Sequence, residues 1–386
     1  MGNQNVAIQN EVPQGIGKRE WIRTAGRAVR YVGKRFIVVF LTILVGVYAA
    51  IWVTSLGGFA DEQRRQEIEH DVRMGINLSM GFRLKTMSSD EREAVFQQAF
   101  DAAFKAADLD RPFLVRSFGY FRDAFTLSLG ETSRIRSRTG SRDVRDILME
   151  RLPMTALLFG VANVLVFFGG LFIAMVLTQR YGSFIDRMTT LLVPLFAAPA
   201  WFHGIFLIVI FASILKFLPF GGIVDVPIPE TTFGYALSVL KHMILPITAL
   251  VMGMMPVAIY ANRALFLIHS SEDYVDLAKA KGLGSRRLQR RYILRPVLPA
   301  IITHFALVAI VAWEGIIITE KVFNWPGLGS LLLQALEAQA YQSAEVSLII
   351  GVVTLFAYLL GTTVLLLDIL YVVVDPRVKF GAGGRS

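Results

Sequence analysis

Apolar runs long enough to cross a bilayer alternate along this chain with polar segments, and several of those segments are strongly basic. Six runs stand out, at about 36–56, 153–178, 188–215, 240–262, 299–319 and 346–374. Each reaches the ~20 residues a helix needs to cross a hydrocarbon core of ~30 Å. Backbone N–H and C=O groups find no water partners in lipid, so each run is expected to satisfy its own hydrogen bonds as a helix. The pattern predicts an all-α integral membrane protein with six transmembrane helices.

The connections orient those helices. Lys18, Arg19, Arg23, Arg27, Arg30, Lys34 and Arg35 precede the first run, and Arg180 and Arg187 lie between the second and third. Arg263, Lys279, Lys281, Arg286, Arg287, Arg290, Arg291 and Arg295 fill the loop between the fourth and fifth, and Arg377, Lys379 and Arg385 follow the last. With six spans these segments share one side, which the bias of Lys and Arg makes cytoplasmic, so both termini are expected inside. The chain divides into a basic tail (1–35), a first span (36–57), an external insert (58–151), a five-span core (152–376) carrying the loop 263–298, and a cytoplasmic tail (377–386). In the tail, residues 16–34 mix basic and apolar positions. A helix in the lipid interface and a frayed charged tail are both compatible with that mixture.

The insert has its own helical pattern. Val95, Phe96, Ala99, Phe100, Ala103, Phe104 and Ala107 recur at three- and four-residue spacing, which predicts a helix over 89–107. Ser88 and Glu91 stand at the spacing of a capping box. A second, shorter helix is expected from Asp61 to Val72. A small cap packing on itself explains the insert more simply than a dedicated partner site.

Composition narrows the function. Of 386 residues 54% are hydrophobic and only 18% charged, with mean hydropathy +0.53, against expectation for a soluble domain of this length. The formal charge of +9 lies largely beside apolar runs, so it reads as orientation rather than nucleic-acid binding. There is no cysteine, hence no disulfide or thiolate chemistry. The histidines form no HExxH pair, and neither a GxSxG elbow nor a GxxxxGK[ST] phosphate loop occurs. No catalytic residue, cofactor or metal site is expected in this chain.

The most telling segment is the basic loop. Tyr274 to Lys281 is expected to form a helix with Val275, Ala278 and Leu277 toward an apolar side. Gly282-Leu283-Gly284 closes it, since glycine readily takes the backbone angles of a helix end. A second basic helix is expected over Ser285–Leu294, with Ser285 as its cap. A short helix ending in a glycine turn suits docking into a groove of another protein; an ordinary basic loop fits the spacing equally well. Inside the spans, Glu314 beside Trp313 is a functional candidate because a membrane-embedded charge is costly. Asn163, His203 and His304 are weaker candidates, and Asp368 is expected in a structural pair near the inner interface. Pro326, Gly327 and Gly329 interrupt helix beyond the fifth span, with Leu328, Leu331, Leu332 and Leu333 as an apolar patch that packs spans together or dips back at a pathway mouth.

Several motifs together resemble one family. The loop resembles the EAA motif of bacterial ABC importer permeases, in the version of the dipeptide/oligopeptide/nickel family. Asp276, Leu277 and Ala278 occupy the EAA positions, and Ala278-Lys279-Ala280-Lys281-Gly282-Leu283 meets the variant A-x-A-K-G-L in full. Glu320 to Gly329 resembles the family's E-x-V-F-x-W-P-G-L-G segment, Glu150 to Thr155 the start of its second span, and Asp368 to Arg377 its last span and D-P-R ending. The B-type permease is the nearest form, and the insert at about 58–118 is longer than its plainest members carry. The resemblance implies an importer of dipeptides or oligopeptides in the bacterial inner membrane. It implies a second permease, so a heterodimer, two ATPase subunits that hold ATP and Mg, and an external solute-binding protein. It assigns ATPase coupling to Tyr274, Asp276, Leu277, Ala278, Lys279, Ala280, Lys281, Gly282, Leu283 and Arg286, and makes Glu314, Trp313, Glu320, Trp325 and Asn163 candidates for the pathway or its gate. Nickel chelates, glutathione or another small solute remain alternative cargoes. A channel or secondary transporter working without an ATPase, or a membrane enzyme, remains the alternative of another class.

Overall fold

The computed structural model describes residues 18–374 apart from 56–58, 85–86, 108, 133, 197 and 340–344. The tails at 1–17 and 375–386, with the D-P-R ending, lie outside the described residues, and so does the side chain of Glu314. The regular elements of the described chain are all helices, and the only extended pairing among the described residues is an isolated bridge between Glu131 and Asp143.

In order, α1 is Lys18–Ser55, α2 Phe59–Leu84, α3 Ser89–Ala106, α4 Phe113–Thr126, α5 Val144–Gln179, α6 Phe184–Leu192 and α7 Ala200–Leu207. Then come α8 Thr232–Ser270, α9 Asp273–Ala280, the short turn α10 Ser285–Arg287, α11 Arg295–Val322, α12 Leu328–Gln339 and α13 Val346–Val374. Among the described residues five stretches are long and apolar enough to cross a membrane: α1, α5, α8, Ser285 into α11, and α13. The run at 188–215 is not one helix. It is built from α6, a 3-10 turn at Val193–Phe196, α7, and a π-helical stretch at Ile208–Ile214. Pro194 and Pro199 account for the breaks, because each lacks a backbone N–H and disfavours helix in the residue before it.

The helices overrun the apolar runs that announce them. α5 starts at Val144, capped by Asp143, whose carboxylate accepts from Arg145 N at 2.7 Å. Val144, Ile147 and Leu148 are fully buried at three- and four-residue spacing, so the first turns face the α12–α13 core. α1 runs back through most of the basic tail, with Arg35 Nε donating to Asp368 on α13 at 2.7 Å.

In the insert, Ser88 Oγ accepts from Glu91 N and Glu91 Oε2 accepts from Ser88 N, the reciprocal box expected there. Phe96, Phe100 and Phe104 stack along α3, and the Arg73 guanidinium of α2 lies 4.0 Å above the Phe96 ring. α2 extends to Leu84 rather than Val72, because Ile68, Val72, Ile76 and Met80 continue a stripe of buried and half-buried positions. Arg116 on α4 grips Asp61 at the start of α2 with two bonds of 2.7 Å, and Tyr48 on α1 reaches Ser117 on α4 at 3.0 Å. The insert is therefore fastened to the first span.

Candidate functional site

The loop between α8 and α11 has two faces. Val275 and Ala278 of α9 are buried, and Val275 packs in one cluster with Phe266 of α8, Ile293 just before α11, and Val297 and Ile301 at its start. Tyr274, Asp276, Leu277, Lys279, Ala280, Lys281, Gly282 and Arg286 are exposed, and Leu283 is half-buried. Leu277 is 58% exposed, so it belongs to the outward face and not to the apolar side expected for it. Partial burial and the neighbouring Glu272 carboxylate raise the Tyr274 phenol, which keeps its proton at neutral pH. Lys279 Nζ meets Asp276 at 2.8 Å, a pair too exposed to stabilise the fold much.

Gly282 has φ +73°. Its N–H donates to Lys279 O at 2.9 Å, and Leu283 N donates to Ala278 O at 3.3 Å. This is the paired bonding of a Schellman helix end, which needs a left-handed residue where glycine stands. Gly284, not Ser285, occupies the N-cap position of the next turn, and no side chain caps it. The second basic segment becomes π-helical at Leu288–Leu294 and runs without interruption into α11. Helix is thus continuous from Ser285 into the fifth span, and α9, set off from it by the glycine turn, meets that path through the packing of Val275 with Ile293 and Val297.

Behind the loop, Arg263 near the end of α8 holds Asp186 on α6 through both nitrogens of a forked contact, the Nη2–Oδ2 bond being 2.7 Å. Gly182 N also donates to Asp186, which is 2% exposed. Removing one partner of a buried pair costs about 3–5 kcal/mol. Arg263→Met is therefore expected to lower the melting temperature of the complex sharply, and Arg263→Met with Asp186→Leu to restore most of it. Equal melting of the single variant and wild type would show that the pair does not brace the loop.

At the opposite end of the core, the E-x-V-F-x-W-P-G-L-G segment builds a buried cradle. Glu320 is fully buried; its Oε1 accepts from Thr155 Oγ1 at 2.7 Å and its Oε2 from Gly329 N at 2.7 Å and Ser330 N at 3.1 Å. Thr155 Oγ1 in turn accepts from Leu328 N at 2.7 Å. The first N–H groups of a helix have no partners within it, so Glu320 and Thr155 together satisfy the start of α12. A Cβ on Gly327 would overlap the Glu320 carboxylate, and one on Gly329 would lie 2.5 Å from Ile317 Cα. The motif's glycines are thus required by close approach. Trp325, also fully buried, donates from Nε1 to Met154 O at 3.0 Å.

Glu320, Trp325, Thr155 and Met154 therefore form one neighbourhood at the ends of α5 and α11. Trp313 is 7% exposed, stacked on Phe159 and edge-on to Phe356. Asn163 is buried and donates from Nδ2 to Phe159 O at 2.9 Å. An apolar cavity of about 690 Å³ opens between α5 and α8 among Met154, Leu157, Val161, Tyr235, Val239 and Met243; Glu320, Trp325, Trp313 and Asn163 do not line it. The Asp186–Arg263 pair has no local signal, because its members are 77 positions apart. Among the described residues no group of His, Asp and Glu is placed to hold a metal ion.

Comparison with known proteins agrees with these features. Residues 166–380 match the model of the family described as binding-protein-dependent transport system inner membrane component. A putative peptide permease protein of Brucella suis is 28% identical over 74% of this chain and 86% of its own length. The di/tripeptide transport system permease protein of Pseudomonas aeruginosa is 28% identical over 79% and 91%, and the oligopeptide transport system permease protein of Bacillus subtilis 30% identical over 64% and 75%. The MetNI methionine ABC transporter in inward-facing form resembles 59% of this chain over 96% of its own, at 16% identity and a TM-score of 0.46. The family match takes in more than half of the chain, including the loop, the segment Glu320 to Gly329 and the last span, and the chain belongs to the inner membrane components of binding-protein-dependent transport systems.

Proposed function

We propose that this subunit forms half of the membrane pathway of an importer for dipeptides or oligopeptides, paired with a second permease of similar fold. Two ATPase subunits, which hold the ATP and Mg, act on it from the cytoplasm, and an external solute-binding protein delivers the cargo. The observation that carries this reading is the two-faced α9: an exposed face of Tyr274, Asp276, Leu277, Lys279 and Lys281 on a helix whose buried Val275 packs against its own spans. A groove on an ATPase that engages the exposed face moves the buried one with it, and α8 and α11 follow. The named activities of the curated relatives support peptides as cargo. The binding protein and ATP supply the differential affinity without which neither ligand shifts an inward–outward equilibrium.

Reconstitution with the partner subunits in liposomes tests the reading. Peptide-loaded binding protein is expected to stimulate ATP hydrolysis and peptide is expected to accumulate. Accumulation of a nickel chelate or glutathione in place of peptide would reassign the cargo, and transport without ATPase subunits would replace the importer with a channel or secondary transporter. Orientation has its own test, since the chain has no cysteine and single cysteines can be introduced cleanly. An impermeant thiol reagent on intact spheroplasts is expected to label a cysteine at position 90 and to spare one at position 285; the reverse pattern would invert the topology.

A further inference from the structure

Between α5, α8 and α11 lies a small cavity of about 10 Å³, with Val166, Phe167, Ala258, Asn262, His304 and Val308 among its walls. Val166, Phe167, Ala258 and Val308 are apolar, and Asn262 and His304 bring an amide and an imidazole. Asn262 is 4% exposed, and its Oδ1 is buried with no hydrogen-bond partner among the described residues. A buried amide oxygen without a partner is expensive. The cavity is of the size that holds one water molecule, and too small for more.

We propose that this cavity is a binding site for a single water that bridges Asn262 on α8 to His304 on α11. One O–H of the water donates to Asn262 Oδ1. Its oxygen accepts from an imidazole N–H, or its second O–H donates to a bare ring nitrogen, so the bridge serves either histidine tautomer. A cation is a poor alternative, because one amide oxygen and one imidazole fall short of the oxygen shell that hard cations require. The position gives the bridge a consequence. α8 and α11 enter and leave the loop 271–294, and Asn262 directly precedes Arg263, which holds Asp186. A water joins the two helices while letting them slide by fractions of a turn without breaking a side-chain contact. The water site rests on the cavity alone; its part in the stroke rests on the importer function proposed above.

A double-mutant cycle on the purified complex tests the site. Asn262→Leu and His304→Phe each remove one end of the bridge and strand the water on the other. Each is expected to speed thermal inactivation ~10-fold, and the double variant, with a dry apolar cavity, to return to within ~3-fold of wild type. Additive effects, or slower inactivation in Asn262→Leu alone, would overturn the bridge. If the variants fail to assemble, a map of the wild-type complex fine enough for ordered water decides the matter. Density within hydrogen-bond distance of both side chains supports the bridge, and side chains that meet directly overturn it. In the stroke, Asn262→Leu is expected to raise the ATP consumed per solute about threefold or more. A normal ratio with a non-additive cycle keeps the water and removes its mechanical part. Normal coupling in both Asn262→Leu and loop variants would instead count against the importer reading.

Discussion

Glu320→Ala is expected to abolish stable assembly of the complex. The substitution strands three buried donors at once: the Thr155 hydroxyl and the Gly329 and Ser330 N–H groups. Each buried donor left without a partner costs about 1–3 kcal/mol, so the total reaches about 3 kcal/mol or more before any loss of packing. α12 carries much of the consequence, because Leu328, Leu331 and Ala335 pack in one core with Val144, Leu148 and Val352. Glu320→Gln keeps the shape and one acceptor oxygen but turns an amide N–H toward other donors, so an intermediate loss is expected. Gly327→Ala should resemble Glu320→Ala, since its Cβ would overlap the carboxylate. Yield and melting temperature of the solubilised complex report all three. Wild-type melting in Glu320→Ala would mean that the cradle does not hold α12 in place.

The same cradle shows where sequence reading stops. The motif from Glu320 to Gly329 is visible as a string, and its proline and glycines announce a break in helix. Nothing in the string says that the glutamate folds back onto the N–H groups nine and ten residues later, or that Thr155, 165 positions earlier, completes the contact. By contrast, the spans, the capping box at Ser88 and the glycine stop at Gly282 are legible because each depends on near neighbours: an apolar run, a three-residue reciprocity, a positive φ. Helix ends depend on distant partners. α5 begins nine residues before the run at 153 because Asp143 caps it and Val144, Ile147 and Leu148 find tertiary partners. The third span is broken because prolines override hydropathy. Leu277 faces outward on α9, against the apolar side its spacing suggests, because periodicity alone does not say which neighbours a short helix meets. Asp186 with Arg263 and Asn262 with His304 are partnerships of topology, and no spacing rule reaches them.

Gly282→Pro is expected to uncouple ATP hydrolysis from transport while leaving the complex assembled. Gly282 sits at φ +73°, and the proline ring holds φ near −65°, so the helix end cannot keep its shape. The bond from Gly282 N to Lys279 O is lost as well, since proline has no N–H. Both effects are local: Gly282 is exposed and nothing lies within 4 Å of where its side chain would be. What changes is the angle at which the face of Tyr274, Asp276, Leu277, Lys279 and Lys281 is offered. Transport per ATP is expected to fall about 10-fold or more, the equivalent of ~1.4 kcal/mol of lost coupling. Gly282→Ala meets no clash and only the strain of a left-handed residue, about 1 kcal/mol, so it should fall between the two. Asp276→Lys probes the surface rather than its angle. It removes a pair with Lys279 that is too exposed to matter for stability, so any loss of transport in an assembled complex reports a contact with the partner. Both variants should be followed by solute accumulation and ATPase rate in the same liposomes. If both transport as wild type does, the loop between α8 and α11 does not carry the stroke, and the route from the ATPases into these spans lies elsewhere.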